Sequence, residues 1–155
     1  EVRGPNVFKG YWEMPEKSSK EFRENGFFIT GDLGTISEDG YVSIVGRSKD
    51  LIISGGYNIY PKEIEVFLDG LDGVLESAVI GIPHPDFGEG VVAVIVPQSR
   101  AKLIQEDIML KLKGQIARFK HPKRIVLIDE LPRNAMGKVQ KKILRERFAR
   151  LFLLL

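Results

Sequence analysis

The amino-acid sequence predicts an α+β fold, a small mixed β-sheet with packed helices, over residues 51–155. Two observations predict it. Strand-like and helix-like apolar patterns alternate after residue 50 in the order βαββαβα, with helices between strands rather than gathered at one end. The segments Glu76 to Ile82 and Val91 to Val96 read as apolar strands.

Taken in chain order, Leu51 to Ile53 is a short strand. Pro61 suits the first turn of a helix whose Ile64, Phe67, Leu68 and Leu71 form one apolar face, and Gly70 and Gly73 close that helix. After the two apolar strands comes a helix with Ile104, Ile108, Leu112 and Ile116 at fourfold spacing. A strand over Arg124 to Ile128 and a basic helix from about Val139 to Arg150 follow. Ahead of all this, Pro15 to Arg23 reads as a short helix and Phe27 to Ile29 as a strand. Leu33 to Ile36 and Tyr41 to Val45 form a hairpin around the turn Ser37-Glu38-Asp39-Gly40. One hairpin of that size is not stable alone in water, and a domain boundary falls near Arg47 to Lys49, where the hairpin composition stops.

At 155 residues and 43% hydrophobic content the chain can bury a real core, and it is expected to be soluble and globular. No apolar run approaches the roughly 20 residues that span a bilayer, and the start Glu1 to Trp12 lacks the regions of a signal peptide. The terminal run Leu151 to Leu155 is too short to anchor anything. The absence of cysteine removes disulfides, thiolate nucleophiles and cysteine zinc sites, which suits a cytoplasmic setting or an organellar matrix.

Charge is unevenly placed. Residues 111–150 carry 13 Lys/Arg against 3 Asp/Glu, whereas the first 110 carry 10 against 18. Such a segment is either a solvated basic face or a surface for a polyanion such as ATP, CoA or nucleic acid. Only Phe119 and Phe148 interrupt it, so the interleaved aromatics of a base-stacking surface are missing and nucleic acid is not the expected partner.

Four short motifs carry candidate chemistry, and each has an ordinary alternative. Thr30-Gly31-Asp32 can be a plain turn, yet a carboxylate there could accept two hydrogen bonds from a vicinal diol. Gly46-Arg47-Ser48-Lys49-Asp50 can be plain surface at a strand end. Ser54-Gly55-Gly56-Tyr57-Asn58 can be a tight turn, or a place where missing Cβ atoms let a slender ligand lie on the backbone. Leu131-Pro132-Arg133-Asn134-Ala135-Met136-Gly137-Lys138 can be a solvated polar loop. His84 and His121 stand alone beside prolines and read as loop residues, not metal ligands.

These motifs, in this order, resemble the C-terminal portion of the AMP-forming acyl-CoA synthetases of the adenylate-forming superfamily. The resemblance runs from Gly4-Pro5-Asn6-Val7-Phe8-Lys9-Gly10-Tyr11-Trp12 to Lys138. It implies a ligase that forms acyl-AMP and then acyl-CoA. Residues 1–46 would be the end of a large N-terminal domain, 47–50 a hinge and 51–155 the small C-terminal domain. It implies Asp32 and Arg47 as nucleotide ligands, Lys49 as the hinge residue and Lys138 as the catalytic cation of adenylation. Gly55, Gly56 and Tyr57 would line the path of CoA. It also implies ATP, CoA and Mg²⁺, with the Mg²⁺ ligands outside this segment.

Gly56-Tyr57-Asn58-Ile59-Tyr60-Pro61, Pro83-His84-Pro85-Asp86-Phe87-Gly88-Glu89-Gly90 and Pro132-Arg133-Asn134-Ala135-Met136-Gly137-Lys138 look most like malonyl-CoA synthetases within the family, which points to malonate as the acid. Arg133-Asn134 departs from the Lys-Thr common at that place. No stretch matches the family's Ser/Thr/Gly-rich phosphate loop, so the segment alone is expected to be inactive without the rest of its N-terminal domain. Two other readings stay open. One is a non-catalytic module of the same fold that binds a polyanion or a protein; the other is a ligase for an aryl, medium-chain or fatty acid. Lys141, Lys142, Arg145 and Arg147 are either a solvated helix face or an attractant for CoA phosphates.

Overall fold

The computed structural model describes residues 1–99 and 103–153, and the chain divides into two compact units, Glu1–Lys49 and Asp50–Leu155. Leu154 and Leu155 of the terminal leucine run lie outside the described residues.

In the first unit, helix α1 (Pro15–Glu21) begins at a proline and buries no residue. Beside it Phe8 meets Tyr11, Phe22 and Phe28 edge-on, with ring centroids 5.1, 5.3 and 5.1 Å away, a favoured aromatic geometry. The Tyr11 hydroxyl donates to Glu21 Oε2 at 2.5 Å, and that bond to a carboxylate raises the phenol pKa above its ordinary value. The expected strand over Phe27 to Ile29 is reduced to isolated bridges, in which Phe28 pairs with Val2 and with Phe22. Strands β1 (Asp32–Ile36) and β2 (Val42–Arg47) form the expected hairpin, with Gly40 at φ +86° in its turn. Ile36, Tyr41, Val42 and Ile44 of the hairpin are exposed.

The second unit is a five-stranded mixed sheet with helices on both faces. Its elements are β3 (Ile52–Ser54), β4 (Tyr57–Ile59), α2 (Pro61–Asp69), β5 (Val74–His84), β6 (Gly88–Pro97), α3 (Gln105–Leu112), β7 (Arg124–Leu127) and α4 (Lys141–Phe148). Strand β6 pairs antiparallel with β5 along its whole length and parallel with β7 from Val92 to Ile95, and it meets β3 only at Gly88. The added strand is β4. It was absent from the sequence expectation because three residues between a Gly-Gly pair and a proline hold too little pattern to read.

Alternate residues of β6 feed two cores. Val91, Ala93 and Ile95 join Ile64 and Leu68 of α2 and Ile108 and Leu112 of α3 on one face. Val92, Val94 and Val96 join Leu131, Leu144 of α4 and Phe152 on the other. Gly81 is required where β3 crosses: a Cβ there would lie 2.9 Å from Ile52 Cγ2.

Packing accounts for part of the uneven charge. Lys120 pairs with Glu63 at 2.6 Å, Lys141 with Glu65 at 2.5 Å, Arg145 with Asp50 at 3.3 Å, and Arg133 with Glu76. Four cations of the basic segment therefore face carboxylates from the acidic part of the chain.

Candidate functional site

Two of the candidates share the first hairpin. Asp32 and Arg47 are cross-strand partners in the β1–β2 register, and Arg47 Nε lies 3.2 Å from Asp32 Oδ1. The Asp32 side chain is 27% exposed and that of Arg47 48%, so the pair offers a partly free carboxylate beside a cation. Asp32 N–H donates to Thr30 Oγ1 at 3.1 Å, and Gly31 takes φ +73°, a value that favours glycine. The sequence motif thus folds into a turn that sets the carboxylate at a strand start.

Directly after β2, Ser48–Asp50 form one turn of 3-10 helix, with Lys49 exposed at its centre. Ser48 binds back to the first unit: its N–H and its hydroxyl both donate to the Gly31 carbonyl, at 2.9 and 3.1 Å.

Gly55 and Gly56 are the two-residue turn of the β3–β4 hairpin, at φ +58° and +81°, where side chains are disfavoured. The Gly55 N–H donates to the Phe87 carbonyl at 2.9 Å, and a Cβ on Gly55 would sit 3.3 Å from the Phe87 ring. Above Gly56 there is open space within 4 Å. Tyr57, 56% exposed, stacks on Phe119 with centroids 4.6 Å apart and planes 24° apart. Lys123 Nζ lies over the Phe87 ring, 4.5 Å from its centroid. From sequence, Phe119 stands in the basic segment and Phe87 in the Pro83 to Gly90 motif, with no role at the site assigned to either.

Lys138 is exposed at the end of a loop built by Asn134. The Asn134 side-chain carbonyl accepts from Met136 N–H at 3.0 Å and from Lys138 N–H at 2.9 Å. Asn134 also exchanges backbone bonds with Lys138 and Gly137. Arg133 donates to the Gly137 carbonyl at 2.6 Å and pairs with Glu76, fixing the loop to β5. The residues that depart from the Lys-Thr pattern are therefore the ones that shape the lysine's loop.

Gly55-Gly56 and Lys138 are not brought together. The first binds at Phe87, just past His84 at one end of β5; the second is tied to Glu76 near the other end. Eight residues of strand separate Glu76 from His84, roughly 26 Å at about 3.3 Å per residue.

The histidines are structural. His84 is the last residue of β5 rather than a loop residue; its Nδ1 accepts from Asp86 N–H at 3.1 Å, and its ring packs between Phe87 and Phe152. His121 Nε2 donates to the Ile116 carbonyl at 3.1 Å. Among the described residues no group of three or more His, Asp or Glu side chains is placed to hold a metal, and no helix is long and apolar enough to cross a membrane. On α4, Lys141 and Arg145 pair with Glu65 and Asp50 and are largely covered, so they form neither a solvated face nor free cations for phosphates, whereas Lys142 is exposed and lies 3.8 Å from Glu146.

Residues 63–138 match the AMP-binding enzyme C-terminal domain. The chain is 46% identical over 145 residues to a 3-[(3aS,4S,7aS)-7a-methyl-1,5-dioxo-octahydro-1H-inden-4-yl]propanoyl:CoA ligase of Rhodococcus jostii, covering 94% of this chain and 28% of that protein. It is 44% identical to a feruloyl-CoA synthase of an Amycolatopsis species, covering 95% and 30%. ATP-bound MatB from Rhodopseudomonas palustris superposes with a TM-score of 0.88 at 59% identity, over 97% of this chain and 30% of that one. The chain thus spans less than a third of the length of these relatives. This chain carries the AMP-binding C-terminal domain of the adenylate-forming acyl-CoA ligases.

Proposed function

We propose that this chain is the C-terminal part of an ATP-dependent acid–CoA ligase whose small domain works from two faces in turn. One observation carries the reading: Lys138 and Gly55-Gly56, the two elements suited to successive steps, lie at opposite ends of β5. One orientation of a rigid domain cannot present both to the same substrate, so two orientations are needed.

In the first step a carboxylate oxygen attacks the α-phosphorus of ATP, the bond to the leaving pyrophosphate breaks, and acyl-AMP forms. Lys138 supplies positive charge where two anions meet, and its exposed, flexible stem can reach that point. Asp32 holds the ribose diol and Arg47 contacts the nucleotide, each keeping the other oriented through their ion pair. After rotation at Lys49, the open backbone at Gly56 faces the acyl-AMP. The CoA sulfur attacks the acyl carbon, and AMP leaves with the bonding electrons. The aromatic and cationic rim of Tyr57, Phe119, Phe87 and Lys123 suits a slender chain with an anionic end. Mg²⁺, implied by the family, would shield the ATP phosphates from ligands elsewhere in the enzyme.

Residues 1–46 then belong to the end of the large domain. The exposed Ile36, Tyr41, Val42 and Ile44 on a two-stranded hairpin support this, because such a hairpin needs a further apolar partner. The acid in this reading is malonate, supported by the three motifs above that resemble malonyl-CoA synthetases.

The test uses the full-length ligase, assayed with malonate, a cinnamic acid and a fatty acid. Malonate is expected to give the highest kcat/KM. Lys138→Ala should cut acyl-AMP formation by at least about 10²-fold while thioester formation from supplied acyl-AMP stays within about threefold. Equal loss in both steps would overturn the assignment of Lys138. A faster reaction with another acid would overturn malonate.

A further inference from the structure

We propose that Ser48 and the Asp50–Arg145 ion pair act as clamps on either side of Lys49, confining the hinge motion to that residue. This rests on the hinge reading of Lys49. A hinge is sharp only if the rotation is confined to few dihedrals, and confinement needs the flanking backbone to be held. Both flanks are held here, each within its own unit. On the N-terminal side, Ser48 donates twice to the Gly31 carbonyl, at 2.9 Å from N–H and 3.1 Å from the hydroxyl. That carbonyl belongs to the turn leading into β1, so Ser48 is fixed to the first unit. On the C-terminal side, Arg145 Nη1 lies 3.3 Å from Asp50 Oδ1, and the Asp50 side chain is only 18% exposed. Arg145 sits on α4, whose neighbouring Leu144 is fully buried, and two residues past Asp50 the chain enters the core at Ile52. Asp50 is thereby fixed to the second unit. Lys49 lies between them, exposed, at the last position of the first unit.

Arg145 is thus a positioning residue that acts through Asp50 across 95 residues of sequence. A partly exposed ion pair of this length adds little to global stability. Its effect is local: without it, rotation spreads over Lys49, Asp50 and Leu51, and neither orientation is sharply defined.

The experiment uses the full-length ligase with Arg145→Gln, Asp50→Asn, the double variant, Ser48→Ala and Lys49→Pro. Spin labels on Lys142→Cys and on a surface cysteine of the large domain report the distance between domains. Arg145→Gln and Asp50→Asn should each lower steady-state acyl-CoA formation by about fivefold, with the double variant no worse than either single. The melting temperature should move by no more than about 2 °C. The distance distribution should broaden from discrete populations to a continuous band, and Ser48→Ala should broaden it in the same way. A discrete distribution in Arg145→Gln would overturn the clamp, even if turnover fell together with melting temperature, because the pair would then be merely stabilising. If Lys49→Pro arrests turnover while Arg145→Gln leaves it normal, the clamp fails and the hinge stands. If Lys49→Pro changes neither turnover nor distances, the hinge reading itself fails.

Discussion

Asn134 holds the backbone of Lys138, the residue proposed above to serve adenylation. Its side-chain oxygen accepts from both Met136 and Lys138 N–H groups, and Gly137 between them takes φ +76°. An alanine there removes one acceptor oxygen and the two bonds it takes, leaving the Lys138 backbone held more loosely by the Asn134 N–H, although the lysine itself is unchanged. With each lost bond worth about 1 kcal/mol at most on an exposed loop, Asn134→Ala should slow acyl-AMP formation by about tenfold. Asn134→Asp keeps an acceptor oxygen at the same place and should recover most of that loss. Single-turnover pyrophosphate release reads both, and thioester formation from supplied acyl-AMP should be unchanged in each. Equal slowing of the two steps by Asn134→Ala would show that the loop serves the whole domain instead of Lys138.

Helix α4 ties the Lys138 loop and the Asp50 clamp to the sheet, and its energy comes from one face. Leu144 is fully buried in the second core cluster while Ile143, next in sequence, is 47% exposed. Leu144→Ala should therefore lower stability by about 2–5 kcal/mol and Ile143→Ala by about 0.5 kcal/mol or less, measured by urea unfolding of the chain. Similar costs at the two positions would mean that α4 is not seated as described. The same element shows where sequence reading succeeds and where it stops. Its basic, amphipathic run was legible, as were the Asp-Gly hairpin and the proline-started α2, because each rests on local pattern or turn chemistry. The pairings of Lys141 with Glu65 and Arg145 with Asp50 were not legible, since they join residues 76 and 95 positions apart. Nor was the parallel docking of β7 on β6. An apolar run buried on both faces identifies a strand but not its neighbour. At the candidate site the glycines and Lys138 stood out by motif, whereas the role of Asn134 depends on a side chain folding back on its own loop.

At the scale of the molecule, the residues proposed to orient a nucleotide and to activate an acid fall in two separate units, Asp32 and Arg47 in Glu1–Lys49 and Lys138 in Asp50–Leu155. No stretch of the sequence matches a Ser/Thr/Gly-rich phosphate loop, so on the proposed reading neither set supplies a grip on the β- and γ-phosphates. Without that grip, ATP is not held in line for attack at its α-phosphorus, and the advantage of positioning is lost, a factor that in well-oriented systems amounts to about 7–11 kcal/mol of barrier. The 155-residue chain mixed with ATP, Mg²⁺ and malonate should therefore release pyrophosphate at the background rate, and the full-length ligase well above it. Some of the cations that would otherwise recruit polyanions are engaged, Lys120, Lys141 and Arg145 with carboxylates of the acidic half. Binding of random-sequence DNA at physiological salt should accordingly be weaker than about 10⁻⁴ M, at the feeble end of the non-specific range. Pyrophosphate release above background by the isolated chain would place a complete adenylation site within these residues. Micromolar DNA binding that fades steeply with salt would instead favour the polyanion-binding module.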